Sequence, residues 1–179
     1  MSIPKHPDPA KLVVSILTSD RMLVKPVLEK IEQISSPVDL ISPWMAFDYT
    51  NYYQKEMGTP LFRRMAGFSA LIHQGDLCRI KLQTNTIENE FLKGGNRRVN
   101  IDPGYLLPSR FILATGKDFA HRVFIGDNIY ADLTLIYQKQ GFKTLAWTYP
   151  DYASEPVLKF LGQVRSKYVL DLKQENAST

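Results

Sequence analysis

The segment from Lys93 to Arg122 collects the residue types that handle anions and protons: Arg97, Arg98, Asn100, Asp102, Lys117, Asp118, His121 and Arg122. It holds six basic and two acidic residues, a balance of +4, which equals the formal net charge of the whole 179-residue chain. The charges elsewhere cancel. The positive excess is therefore local, and it points to an anionic partner.

Two chemistries fit these residues. Histidine titrates near neutrality and suits proton transfer. His121 is thus a candidate general acid or base, oriented by Asp102 or Asp118, with Lys117 or Arg122 stabilising a negative transition state of hydrolysis or group transfer. The same segment also serves a site that only binds. Arg97, Arg98, Asn100, Lys117 and Arg122 would meet a phosphate, and Tyr105, Tyr149 and Tyr152 would stack on a base of a nucleotide or RNA. Plainer roles stand beside both. Asp102 can cap a turn at Asp102-Pro103-Gly104, the arginines can decorate a solvated strand edge, and His121 can be a hydrogen-bonded structural residue. A third reading makes the aromatic groups Tyr49, Tyr52, Tyr53 and Trp147–Tyr152 the contact surface of a protein–protein interaction module.

Familiar catalytic motifs are missing. No C-x-x-C or H-E-x-x-H pattern supports zinc, so no metal or other cofactor is expected. No G-x-S-x-G elbow or G-x-G-x-x-G turn occurs. Thr115-Gly116-Lys117-Asp118 imitates the end of a phosphate-binding P-loop. However, Phe111 stands where that loop needs glycine, and Asp118 where it needs serine or threonine. Its backbone N–H groups can still face an anion. Cys78 is the single cysteine, which excludes an internal disulfide and fits a reducing cytoplasm. No apolar run reaches the roughly 18–20 residues of a membrane span.

The elements that must position these residues follow from hydrophobic periodicity. Lys11–Ser19 reads as a buried strand and Met22–Ile34 as a helix in which Pro26 belongs to the first turn or makes a kink. Val38–Phe47 reads as a strand broken by Pro43. Together these make an N-terminal β-α-β unit. A short helix follows, ended by Gly58. Leu61–Ile72 fits a strand or a helix equally. A central helix runs from Gly75 toward Gly94-Gly95, on the spacing of Leu77, Ile80, Thr84, Ile87 and Phe91. Residues 97–149 read as an antiparallel meander with a turn at Asp102–Tyr105, strands over Arg110–Gly116, His121–Gly126 and Tyr130–Tyr137, and a last strand over Lys143–Tyr149. His121 and Arg122 would then point to opposite faces, and Tyr149-Pro150 is a candidate cis bond. Asp132 would face solvent or partner a buried arginine. Ser154 and Pro156 open a terminal helix.

At 44% hydrophobic and 22% charged residues the composition is globular. The expectation is a single α+β domain over residues 11–170, with a flexible arm at 1–10 and a flexible tail at 171–179. If the Asp102 turn and the Gly116 loop lie at one end of adjacent strands, Asp102, Lys117 and His121 converge.

Taken in order, FDYTNYYQKEMG, NIDPGY, ATGKDFAHRVFIG, IYADLTLIY and WTYPDY resemble a bacterial family known as domain of unknown function 4416, from about Lys11 to Tyr168. The resemblance implies a small, cytoplasmic, single-domain bacterial protein. Some members carry a GTP-binding label, but the family brings no catalytic residues with it.

Overall fold

The computed structural model describes residues 1–177, with side chains through residue 173. Residues 1–9 are exposed and form no regular element. Strand β1 (Ala10–Thr18) follows, buried along its whole length. Such a strand needs apolar residues on both faces, and AKLVVSILT supplies them. Leu12, Val14 and Ile16 pack under helices α1 (Val24–Ile34) and α3 (Leu77–Glu90). Val13 faces the other layer, where Val157, Phe160, Leu161 and Val164 of α4 (Glu155–Ala177) close the second core.

All strand pairs are antiparallel, in the order β2 (Val38–Ile41), β4 (Leu61–Ile72), β1, β5 (Val99–Leu107), β6 (Arg110–Thr115), β8 (Ile129–Gln138) and β7 (Arg122–Gly126), with β3 (Met45–Phe47) on β4 and β9 (Gly141–Thr144) on β8. The protein is a single α+β domain. β4 (Leu61–Ile72) lies between β1 and β2 (Val38–Ile41), so the N-terminal β-α-β unit is split by a later strand. This settles the ambiguous Leu61–Ile72 segment as a strand. Pro43 divides β2 from β3 (Met45–Phe47), as a residue without an amide donor should. Pro26 sits in the first turn of α1, where its missing N–H costs nothing. Only Gln54–Met57, the helix α2, is helical in the tyrosine-rich segment, and Gly58 ends it at φ +77°.

Three expectations for the second half change. Asp102-Pro103-Gly104 is not a turn but the middle of β5 (Val99–Leu107). β5 pairs with β1 along its length, whereas β6 (Arg110–Thr115) joins it only from Gly104 onward. Pro103 therefore lies where β5 is still an edge, the one strand setting that tolerates proline. Gly104 is needed for close approach, since a Cβ there would stand 2.4 Å from the Ile112 carbonyl oxygen.

Second, β7 (Arg122–Gly126) lies outside β8 (Ile129–Gln138), and His121 precedes it. Third, β9 is only Gly141–Thr144, not a strand reaching Tyr149. β7 covers the first part of β8's outer edge and β9 the last. The gap between them is filled by side chains. Trp147 Nε1 donates to the Leu133 carbonyl at 2.8 Å and Thr148 Oγ1 to that of Thr134 at 2.6 Å. Backbone pairing is replaced there, so the segment leaves the sheet.

α4 continues through most of the stretch expected as a tail, where Asp171 pairs at 2.9 Å with the buried Lys11 ammonium. Residues 178–179 of that expected tail lie outside the described residues. Among the described residues the cis peptide is Thr59–Pro60, not Tyr149–Pro150. No helix among the described residues is long and apolar enough to cross a membrane.

Candidate functional site

The late joining of β6 to β5 opens a cleft in the sheet. Beside it the backbone of Ile101 would have no partner, and α3 supplies two. Glu88 Oε1 accepts the Ile101 amide at 2.6 Å, and Lys81 Nζ donates to the Ile101 carbonyl at 2.8 Å. A cavity of about 650 Å3 forms between this edge, the end of β6, the tyrosines of the α2 segment and the Tyr149–Tyr152 loop. That volume suits a small ligand.

A relay of polar side chains crosses one wall. Asp102 Oδ1 lies 3.5 Å from Lys81 Nζ, and Asp102 Oδ2 accepts from Asn100 Nδ2 at 2.7 Å. Asn100 Oδ1 accepts from Arg97 Nη1 at 3.1 Å, and Arg97 reaches Glu56. Burial raises the Glu88 carboxyl to about 6, against the pull of the Lys81 ammonium. Hydrogen bonding from Arg97 holds Glu56 below its usual range and in turn raises Arg97 further. Burial, with the nearby Asp102 charge next, pushes the Tyr53 hydroxyl up. Opposite, Lys117 is exposed, and its Nζ lies 4.7 Å above the centre of the Tyr52 ring.

The expected residues divide. Arg97, Asn100, Asp102, Lys117, Tyr149 and Tyr152 line the cavity. His121 does not. It lies beyond Asp132, with Nε2 3.3 Å from Asp132 Oδ2 and its ring stacked on Trp147 at 5.0 Å. Arg122 is not on the face opposite His121, because its Nε donates at 2.9 Å to the same oxygen. Asp132 is the partner of a buried arginine, one of the two roles expected for it. Arg122 Nη2 also donates to the Tyr149 hydroxyl. Arg98 forms an exposed pair with Asp20 at 2.8 Å, and Tyr105 is buried in the core. Asp102 and Lys117 thus share one cavity, and His121 stays outside it.

Arg63, Lys81, Glu88 and Asp151 are cavity residues that pattern reading passes over. The sequence does carry a signal for two of them. Lys81 and Glu88 lie seven residues apart on the stripe of α3 that also holds Leu77 and Thr84, where a charge has no reason to be unless something meets it. Arg63 likewise shares one strand face with buried Leu61 and Met65, visible only once Leu61–Ile72 is known to be a strand. Among the described residues no group of three or more His, Cys, Asp or Glu side chains could hold a metal.

A family model described as Domain of unknown function (DUF4416) matches residues 8–168. No curated protein and no solved structure matches the chain.

Proposed function

The chain belongs to the DUF4416 family, and we propose that its cleft cavity binds a small phosphate-bearing ligand of nucleotide size. The observation that carries this reading is Lys117 poised over Tyr52 at the rim, a cation with no carboxylate partner among the described residues, beside an aromatic face. Arg97 and Lys81, also in the cavity wall, are matched by Glu56 and Asp102, so Lys117 is the cation left open to a ligand, and Tyr49, Tyr53 and Tyr149 offer further ring faces. A small molecule fits better than RNA. Phosphate tracking needs free cations along a surface, whereas Arg97, Arg98 and Arg122 each hold a carboxylate.

Melting in the presence of AMP, GMP, ATP, GTP and a short RNA tests this. A ligand at a hundred times its Kd stabilises the fold by about 2.7 kcal/mol. A mononucleotide should raise the melting temperature, and Lys117→Ala should remove most of the rise while leaving the unliganded value unchanged. No response to any nucleotide at millimolar concentration overturns the proposal.

A hydrolase or transferase reading keeps one support, the raised Glu88 carboxyl beside Lys81 and Asp102. In that reading Asp102 and Glu88, not His121, handle protons at a bound phosphate ester. Release of phosphate from a bound nucleotide, lost in Asp102→Asn, would establish it.

A further inference from the structure

Arg63 and Asp151 belong to two cavities at once. The second, of about 750 Å3, lies between β3 and the first turns of α4, with Trp44, Met45, Val157 and Phe160 in its walls. It shares Phe47, Tyr49, Arg63 and Asp151 with the cleft cavity, so this ion pair stands at the common wall.

Arg63 is only 4% exposed. Its Nη2 donates to Asp151 Oδ2, but Nε and Nη1 are buried with no hydrogen-bond partner among the described residues. The rings of Phe47 and Tyr152 hold the guanidinium, with centroids 5.2 and 4.6 Å away. A guanidinium carries five donors and prefers to grip an anion through two of them. Here it is gripped through one. Buried donors left without a partner are destabilising, so an arrangement that keeps them calls for a reason.

Resting on the phosphate reading of the cleft cavity, we infer that Asp151 holds the place of a ligand anion on Arg63. The ligand is a two-ended molecule. Its diphosphate or phosphodiester bridge sits at Arg63, one organic group lies among the tyrosines of the cleft, and the other among the apolar walls of the second cavity. An internal carboxylate that occupies a cationic site lowers the apparent affinity of any anion competing for it. Removing the carboxylate should therefore tighten binding, even as it removes an ion pair from the fold.

Calorimetric titration with AMP and with diadenosine 5′,5′-diphosphate tests this, with melting as the check on folding. The dinucleotide should bind at least about tenfold tighter than AMP. Asp151→Asn should tighten the dinucleotide by about tenfold, and Arg63→Met should weaken it by at least as much. Gln163→Trp, at an exposed helix position that lines the second cavity and not the cleft, should bring the dinucleotide down to the AMP level and leave AMP unchanged. A merely structural ion pair predicts that Asp151→Asn weakens binding or leaves it alone, and that result overturns the inference. So does a dinucleotide no tighter than AMP. If Arg63→Met does not fold, the sign of the Asp151→Asn effect decides. If native protein binds neither ligand, the phosphate reading itself has failed; if it binds AMP and only the exchange effects are missing, that reading survives.

Discussion

Arg97 lays its guanidinium along both carboxylate oxygens of Glu56, at 2.9 and 2.7 Å, and its backbone amide adds a third contact at 3.0 Å. The contact joins the basic segment to the α2 region, which carries Tyr52 and Tyr53 into the cavity wall. It also consumes the charge that made Arg97 look free in sequence.

Glu56→Gln should loosen that tether and cost about 1 kcal/mol, since a bidentate pair exceeds the usual surface ion pair. The folded-state pKa of Glu56 lies below its unfolded value, so its contribution is fully present above the unfolded pKa and is lost as pH falls through the folded one. Urea unfolding of native and variant protein should differ at pH 7 and converge toward pH 3. A difference that persists at low pH would mean that the pairing is not ionic.

Glu88 runs the other way. Its folded pKa of about 6 lies above the ordinary 4.5. The folded state binds the extra proton, so this stabilisation is complete below pH 4.5 and disappears as pH rises through 6. The change amounts to about 2 kcal/mol. Denaturant midpoints measured from pH 4 to 7 should show the decline, and Glu88→Gln should flatten it.

His121→Ala should leave nucleotide binding intact, because the ring lies outside the cavity. It should instead alter Trp147, whose indole stacks on the imidazole with an interplanar angle of 13°. A changed tryptophan emission with an unchanged Kd is the expected pair of results. Loss of binding in this variant would return His121 to the site.

Gly104→Ala should be among the most damaging single substitutions. The nearest atom the added carbon meets is backbone, the Ile112 carbonyl oxygen at 2.4 Å, with the Leu113 and Phe111 side chains next at 3.0 Å. β5 and β6 must separate to admit it, at a cost of roughly 3 kcal/mol. An unfolding midpoint close to native would mean that the two strands part more easily than their pairing suggests.

Much of the fold was legible because period and burial are local properties. β1, α1 and α3 each declare themselves by the spacing of apolar residues, and Pro43, Gly58 and Pro156 punctuate as their backbone limits require. The Asp102-Pro103-Gly104 stretch misleads for a physical reason. Proline and glycine signal a turn when the chain is read alone. Here each answers a neighbour: Pro103 an edge that no strand covers, Gly104 a carbonyl that comes too close. No window of sequence contains Ile112 and Gly104 as neighbours.

The sequence by itself determined β1, the main helices, the α+β class, the segment rich in anion-handling residues and the absence of a working P-loop. The tertiary structure alone decided which of those charges remain available. Arg97, Arg98 and Arg122 are matched by Glu56, Asp20 and Asp132, from 10 to 78 residues away in the chain, while Lys117 faces a tyrosine ring. A charge count sums along the chain, but Coulomb energy depends on distance in space. Strand order is what turned a basic segment into a cavity with one open cation at its rim and one guarded arginine in its wall.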